Sequence, residues 1–379
     1  MAAVAVLLAA CGGENNNSSP SGGAGGELPA KITIPSITDL TGPSSFAGTA
    51  GEKGTQLALD EINSQKFLGP NTTLSIETKD TTTNNQTAAS LFTAAAADKS
   101  IPAVLGTITS SQSQAIAPIA TQSKVPVVFT QSGSTGTVLG KYTFRVTAPF
   151  TTYFDSVLKP FIAGKGVKTA SVVYATANPT MTQLAREVVP QMGKELGFTV
   201  ASTTGAETNT VDYSATVSKI VSGKPQVVFL LMIGTQFATI IPQLRTAGYS
   251  GPIAALSTAC CGNLKTVGSD GVGVVWPADF FYDQSGASSR AFTTAFKAKY
   301  NEDPSFYAAE RYDALWFIAR AIKLAGSADR DAVQKALDTV AAEGFDGAMG
   351  KLTFKDRDLR VPGVLVEWDG TAEKLAKID

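Results

Sequence analysis

The segment VVFLLMIGTQFATIIPQL, residues 227–244, contains two apolar patterns in succession. Its first five residues are large and apolar without interruption, which is typical of a strand buried on both faces. Phe237, Ile240, Ile241 and Leu244 then follow at the spacing that places side chains on one face of a helix. The segment therefore predicts a strand followed by a helix, the repeating unit of a parallel sheet with helices against its faces.

The same unit recurs on both sides of this segment. Further apolar runs predict strands at residues 32–37, 74–79, 103–106, 125–129, 169–174, 253–256 and 272–276. Helical apolar stripes run through 88–96 and 154–162, and Pro160 is expected to kink or break the second of these helices. One set of strand–helix units ends near Arg145, and a second set begins near Thr169. The sequence therefore predicts an α/β fold of two doubly wound lobes, which bind ligands at the carboxyl ends of their strands.

The composition favours binding over catalysis. Of the 379 residues, 31 are Lys or Arg and 32 are Asp or Glu, so the chain has no basic field that would hold nucleic acid. It contains no histidine, which excludes a Ser-His-Asp or Cys-His nucleophile and a histidine-ligated metal. Its three cysteines are too few for a four-cysteine zinc site. We therefore expect a protein that is not an enzyme and that uses no metal and no cofactor.

The N-terminal segment predicts where the protein is located. Residues 1–10 are apolar, too short to span a bilayer, and of the length found in the apolar part of a signal peptide. LAACG, residues 8–12, matches the bacterial lipobox, although no Lys or Arg precedes the run. We predict a signal peptide at 1–10, a lipid on Cys11, and a flexible Gly-, Asn- and Ser-rich tether at 11–30. The alternative is a buried N-terminal strand with an incidental cysteine.

A series of short motifs carries a family resemblance. These motifs are IPSITDLTGPSSFAG at 34–48, VLGTITSS at 104–111, VPVV at 125–128, YDA at 312–314 and GKLTF at 350–354. In this order and spacing, over about residues 31 to 370, the chain resembles the type I periplasmic binding proteins. Within them it is most similar to the leucine/isoleucine/valine-binding group of ABC transporters.

The resemblance implies a pairing of segments that periodicity alone does not give. In this family the chain crosses between the lobes three times, here near residues 145–147, 276–278 and 350–352. Lobe one would then comprise 31–146 plus 278–350, and lobe two 148–276 plus 352–379. The three crossings form a three-strand hinge, and the lobes close over a ligand bound between them.

The loops at the strand ends supply the candidate ligand site. Ser110 and Ser111 follow the strand at 103–106 and begin a helical segment, where free N–H groups and hydroxyls suit a carboxylate. An ordinary serine N-cap is the alternative, but the resemblance implies the carboxylate contact. The family's ammonium-binding threonine corresponds here to Gly133, so that hydroxyl is missing or displaced to Ser134. The predicted ligand-binding residues are Phe46, Ser110, Ser111, Gln131, Ser132, Gly133, Ser134, Asn178, Gly234 and Thr258.

One acidic residue that the resemblance implies is missing. The amino-acid binders carry an acid in the loop at 257–262, where this chain has STACCG, and no Asp or Glu lies between Gly234 and Lys265. The family's tyrosine in the loop at 175–180 is also absent. Because a buried ammonium without a counter-charge costs several kcal/mol, we expect a ligand with a carboxylate or amide and no such ammonium. Asp39 and Glu207 remain candidate substitutes from other loops.

Cys260 and Cys261 are the only cysteines besides Cys11. In an oxidising compartment an exposed thiol pair is a liability, so we consider a vicinal disulfide that forms a rigid apolar turn facing the cleft. Two buried free thiols, or an intermolecular bridge, are the alternatives.

These features together predict the function. We expect a monomeric, extracytoplasmic solute-binding lipoprotein of a bacterial ABC importer, anchored through its lipid at the cell surface or in the periplasm and delivering its ligand to the permease subunits. The alternative is a ligand-sensing receptor on the same fold. An enzyme on a doubly wound fold is disfavoured by the missing histidine, Walker A motif and Gly-rich turn after the first strand.

Overall fold

The computed structural model describes residues 27–134, 136–207 and 209–378. The predicted signal peptide, Cys11 and the tether up to residue 26 lie outside the described residues. Within the described ranges, no helix is both long enough and apolar enough to cross a membrane.

The strands and helices alternate along most of the chain. The strands are β1 (Lys31–Thr38), β2 (Thr73–Asp80), β3 (Val104–Gly106), β4 (Val127–Phe129), β5 (Thr143–Arg145), β6 (Thr169–Ala175), β7 (Thr199–Ala206), β8 (Val227–Leu231), β9 (Ile253–Ala255), β10 (Val274–Ala278), β11 (Phe345–Gly347), β12 (Gly350–Lys355), β13 (Asp358–Arg360), β14 (Val364–Trp368) and β15 (Glu373–Leu375). The helices are α1 (Ser45–Ser64), α2 (Asn85–Ala97), α3 (Ser110–Ser123), α4 (Phe150–Tyr153), α5 (Lys159–Gly164), α6 (Pro179–Gln183), α7 (Val189–Leu196), α8 (Ser214–Ser222), α9 (Gly234–Thr246), α10 (Ala287–Tyr300), α11 (Phe306–Ala325) and α12 (Arg330–Glu343).

These strands form two sheets, one in each lobe. The first has the order β11-β12-β13-β5-β4-β3-β1-β2, and the second has the order β15-β14-β10-β9-β8-β6-β7. The strands from β1 to β5 pair in parallel, as do those from β6 to β10, so each sheet has the doubly wound order 2-1-3-4-5 at its centre. The predicted fold class is confirmed. In each sheet the strand order reverses beside the first strand, which places a crevice at the carboxyl ends of β1 and β3 and of β6 and β8.

The predicted position of the third crossing, residues 350–352, is wrong. β12 pairs with β13, and β13 extends the first sheet beyond β5 with Asp358 opposite Arg145. Arg145 is buried and its Nε donates to Asp358 Oδ1 at 2.8 Å, so the buried guanidinium holds β13 in lobe one. The third crossing therefore lies between β13 and β14. Gly363 lies in this connection with φ 75°, where a Cβ atom would come within 2.6 Å of the Tyr153 Cβ.

The helix through 154–162 does not break at Pro160. A π-helical turn at Phe154–Leu158 joins α4 to α5 directly before this proline. A second π turn, Leu184–Val188, joins α6 to α7 in the same position relative to Pro190. Proline cannot donate the helical hydrogen bond and crowds the carbonyl four residues earlier. The wider turn accommodates it, and the helix continues.

Candidate functional site

A cavity of about 420 Å³ lies between the lobes, at the carboxyl ends of both sets of parallel strands. We call it the first cavity. It is lined by Pro43, Ser44, Phe46, Ala47, Thr83, Asn85, Ile108, Thr109, Ser110, Ser111, Gln131, Gly133, Phe150, Ala177, Asn178, Thr180, Met181, Ile233, Thr258 and Tyr307. Most of these residues follow β1 to β4 in lobe one or β6, β8 and β9 in lobe two. The doubly wound topology thus brings loops from distant parts of the sequence to one site.

The N-terminus of α3 opens into this cavity. Thr109, and not a serine, is the N-cap: its Oγ1 accepts the Gln112 N–H at 3.3 Å, and the Gln112 Oε1 accepts the Thr109 N–H at 3.1 Å. Ser110 and Ser111 occupy the first two helical positions, where backbone N–H groups have no partner within the helix. Both serines line the cavity, so hydroxyls and N–H groups together offer donors to an anion.

A cluster of hydroxyls links the two lobes beside these serines. The Ser110 Oγ lies 3.0 Å from the Thr180 Oγ1 of lobe two, and the Ser134 Oγ also hydrogen-bonds to Thr180. The Ser134 N–H donates to the Ser110 Oγ at 3.3 Å. Thr180 lies at the start of α6, where the Asn178 side chain accepts its N–H at 2.9 Å. Asn178 thus lines the cavity while it caps α6, and Thr180 is a contact that the sequence analysis did not identify.

The loop after β4 contributes alternate residues to the cavity. Gln131 and Gly133 line it, whereas Ser132 and Ser134 are buried behind it and are not lining residues. The Ser132 Oγ pairs with Thr137, and its carbonyl accepts a hydrogen bond from the buried Arg145, which turns the residue away from the ligand space. At Gly133 a Cβ would come within 2.3 Å of the Phe150 ring. Because glycine has no Cβ, the ring can pack directly against this loop.

Lobe two presents Ile233 and Thr258 to the cavity, and not the predicted Gly234. Gly234 is the first residue of α9 and packs against Asn263, whose Nδ2 would lie 2.3 Å from a Cβ at this position. The Thr258 Oγ1 donates to the Met232 carbonyl at 2.6 Å, so its proton is already used within the protein.

No Asp, Glu, Lys or Arg is among the described residues that line the first cavity. The two candidate substitutes for the missing acid do not reach it. Asp39 is buried beneath α3 and accepts a hydrogen bond from the Gln112 Nε2 at 2.8 Å. Glu207 is exposed and accepts a hydrogen bond from the Thr176 Oγ1 at 2.8 Å. A charged ligand in the first cavity therefore meets no charged side chain among the described lining residues.

Two buried carboxyl groups stand behind the cavity wall, where the lobes connect. The Glu310 Oε2 accepts the Gln131 N–H at 2.7 Å and the Thr147 hydroxyl at 2.8 Å. Burial, and then the nearby Asp279, raise the pKa of Glu310 well above its usual range. Burial raises the pKa of Asp279 to about 6. Thr147 lies on the first connection between the lobes and Asp279 on the second, so this acid pair belongs to the hinge.

A second cavity, of about 480 Å³, lies on the other side of Phe46. Cys260 and Cys261 are joined by a disulfide, and both line this second cavity and not the first. The two cysteines therefore face the space between the lobes, but in the second cavity and not beside the residues of the first. Thr258, two residues earlier, faces the first cavity, and Phe46 lines both.

Comparisons with known proteins identify relatives of this architecture. Residues 31–372 match the family model described as a periplasmic binding protein. A leucine-, isoleucine-, valine-, threonine- and alanine-binding protein of Pseudomonas aeruginosa is 29% identical over 172 residues, which cover 43% of this chain and 43% of that protein. The match thus spans less than half the length of this curated relative.

Solved structures extend the likeness over most of the chain. The leucine binding protein LivK from Thermotoga maritima has a TM-score of 0.82 and 24% identity, and the match covers 91% of this chain and 98% of that one. A solute binding protein of an ABC transporter from R. palustris, in complex with benzoate, has a TM-score of 0.79 and 18% identity, with 91% and 95% covered. At these identities the likeness establishes the fold, and the ligand must be argued from the site.

Proposed function

This chain belongs to the periplasmic binding protein family, and from that premise we propose that it captures a small solute with a carboxylate or amide group and delivers it to an ABC importer. The observation that carries the ligand class is the lining of the first cavity, which combines the donors of the α3 N-terminus with the absence of charged side chains among the described lining residues. The protein acts as a monomer, catalyses no reaction, and passes its ligand to the permease subunits.

The anionic or carbonyl end of the ligand binds at Ser110 and Ser111. Unpaired N–H groups and the partial positive charge of a helix N-terminus stabilise negative charge there without a basic residue. Because Thr180 of lobe two already bonds to Ser110 at 3.0 Å, a ligand seated on this helix end contacts both lobes. Such a ligand favours the closed arrangement over the open one, which is how binding is reported to the permease.

An ammonium group on the ligand would lack a counter-charge in this cavity. The Pseudomonas and Thermotoga proteins are named for amino-acid ligands, and the R. palustris protein is in complex with benzoate, so the fold accommodates both classes. The first cavity offers a carboxylate the donors of the α3 N-terminus, but the described lining residues offer an ammonium no counter-charge. Because an unpaired buried charge costs several kcal/mol, this lining favours the second class.

A ligand panel tests this proposal directly. We expect benzoate, phenylacetate or an aliphatic acid or amide to bind more tightly than free leucine, isoleucine or valine. A ligand at a concentration of roughly 100 times its Kd raises the free energy of unfolding by about 2.7 kcal/mol, so a thermal-shift screen detects binding. Calorimetry then gives the dissociation constant. A sub-micromolar constant for leucine would refute the proposed ligand class.

Serine-to-alanine variants at the start of α3 test where the ligand's head is bound. Losing a hydrogen bond to a charged group costs about 1.5–3 kcal/mol, so Ser110→Ala and Ser111→Ala should each weaken binding of a carboxylate about tenfold or more. Ser123→Ala, at the far end of the same helix, is the matched control and should leave affinity unchanged. If both α3 variants bind like the wild type, the head group lies elsewhere.

We further propose that the protein is an extracytoplasmic lipoprotein anchored through Cys11. Cys11→Ser, expressed with a complete signal sequence, should leave the membrane fraction and appear in the soluble extracytoplasmic fraction, because the thiol that accepts the lipid is gone. Fractionation together with intact mass, which reports the lipid, is the measurement. A wild-type protein without lipid, or a variant that stays on the membrane, would contradict the anchor.

A further inference from the structure

Beyond Phe46, the second cavity adds a compartment of different chemistry to the cleft, and we propose that it receives the apolar tail of the ligand whose carboxylate or amide head occupies the first cavity. This inference rests on the proposed function and narrows it to an aryl- or alkyl-substituted acid or amide. Each cavity, about 420 and about 480 Å³, is of a size that accommodates part of a small molecule.

Eight aromatic rings of the described residues line the second cavity. They belong to Phe46, Trp276, Phe280, Phe281, Tyr282, Phe296, Phe306 and Trp368. Its acids already have partners: Glu302 pairs with Lys53 at 2.5 Å, Asp303 pairs with Lys297 at 2.6 Å, and Glu373 accepts a backbone N–H of the disulfide loop at 3.1 Å. Lys265 also lines the cavity and interacts electrostatically with Glu373. The ring faces and the disulfide are the part of the lining that favours an apolar or aromatic group.

The wall between the two cavities is thin. Phe46 is half-buried, lines both cavities, and packs edge-on against Tyr307 with ring centroids 5.8 Å apart. Tyr307 lines the first cavity and Phe306, the preceding residue, lines the second. On the side of lobe two, Thr258 lines the first cavity and Cys261 the second. Phe46 is therefore the side chain whose movement to another staggered rotamer would bring the compartments together.

Both lobes contribute walls to the second cavity. Ala50 and Phe306 belong to lobe one, whereas Cys261 and Trp368 belong to lobe two. A tail that fills the space contacts both lobes and so favours closure, as the head group does. The disulfide gives this compartment a rigid wall from lobe two.

A series of phenylalkanoates tests the proposal. By calorimetry on the full chain, 5-phenylpentanoate should bind about tenfold or more tightly than phenylacetate, since each buried methylene adds about fourfold in affinity. Ala50→Leu narrows the second cavity and should weaken 5-phenylpentanoate binding by about tenfold while phenylacetate changes less than about twofold. Thr49→Leu, at the exposed neighbouring position of α1, should change neither.

Fluorescence gives an independent readout of where the tail lies. 5-(4-Bromophenyl)pentanoate should quench the fluorescence of Trp276 and Trp368, because both line the second cavity. The quenching should persist in Trp316→Phe, since Trp316 lines neither cavity. If phenylacetate binds but affinity does not rise with chain length, the proposed tail site is wrong. It is also wrong if Ala50→Leu weakens the binding of both acids equally. Either outcome leaves the proposal for the head group intact. If no acid of the series binds, the proposed ligand class fails and the tail site with it.

Discussion

Thr258→Glu is expected to bind free leucine about a hundredfold more tightly than the wild-type protein, because it introduces a counter-charge for the ligand's ammonium. Thr258 lines the first cavity from the loop after β9, in which the amino-acid binders that the sequence resembles carry an acid. The wild-type lining has no charged side chain among the described residues, so an ammonium that enters loses its water without an ionic partner. Removing one partner of a buried ion pair costs about 3–5 kcal/mol, and restoring the partner should recover a large part of that.

Thr258→Gln separates charge from size in this experiment. Both variants lose the hydrogen bond from Thr258 to the Met232 carbonyl, and both add a longer side chain, but only glutamate is charged. Calorimetry with leucine should therefore show the gain in Thr258→Glu alone, while the same variant should bind phenylacetate more weakly because two carboxylates then share the cleft. Equal leucine affinity in the two variants would mean that the ammonium does not lie near residue 258.

The central strands of both sheets could be predicted because burial on both faces leaves a continuous apolar run. β8 has the bounds that the sequence predicts, and all five of its residues are buried. β7 escaped prediction because it lies at the edge of its sheet, with mostly small and polar residues and alternating exposure. β5 is only three residues long, which leaves too little sequence for a pattern. Sequence patterns therefore locate the centre of a sheet better than its edges.

The third crossing illustrates a limit of local sequence. Whether β13 belongs to lobe one or lobe two depends on its partner, and that partner, β5, lies more than two hundred residues earlier in the chain. The buried Arg145 needs a carboxylate and finds Asp358, but nothing near Asp358 in the sequence identifies this pairing. The correct boundary follows only once the two strands are seen side by side.

The site could be predicted at the level of loops and not of side chains. Loops after parallel strands converge at one edge of a sheet, and the segments around Ser110, Gln131 and Thr258 lie together at the first cavity. Which residue of a loop faces the cavity depends on the local backbone, as Ile233 lines it and Gly234 does not. Tyr307 was missed because it belongs to the first turn of α11, at no predicted strand end.

Glu310→Gln should increase the free energy of unfolding at pH 8 by about 2–3 kcal/mol and have little effect at pH 4. Burial raises the pKa of both Glu310 and Asp279, the latter to about 6, so the folded protein retains protons that the unfolded chain releases nearer pH 4. The stability that this proton uptake contributes is fully present below the unfolded pKa and is lost as the pH rises through the folded pKa. The wild type should therefore become less stable between about pH 4 and pH 8 through this pair, and the variant less so, because Asp279 still titrates with a pKa raised by burial.

Glutamine suits this position because it keeps the hydrogen bonds that glutamate makes. Its amide oxygen can accept the Gln131 N–H and the Thr147 hydroxyl, now at 2.7 and 2.8 Å from the Glu310 Oε2, and its NH₂ group can donate to Asp279. The loop that carries Gln131 should keep its position, so ligand affinity at pH 7 should be unchanged. Glu310→Ala lacks the acceptor and should weaken binding while it also leaves the Gln131 N–H without this partner.

Denaturant unfolding at several pH values between 4 and 8 is the measurement, with Glu343→Gln as the matched control. Glu343 is exposed at the end of α12, so removing its charge should leave the pH dependence of stability as in the wild type. Other buried groups, such as Asp313 with its pKa raised to about 7 by burial, titrate equally in all three proteins and cancel in the difference. If the free energy of unfolding of Glu310→Gln falls with pH in parallel with that of the wild type, the Glu310 carboxyl has an ordinary pKa in the folded protein. A weaker pH dependence of the free energy of unfolding, with unchanged ligand affinity, would assign that part of the loss of stability at high pH to Glu310, because the amide removes its charge and keeps its contacts.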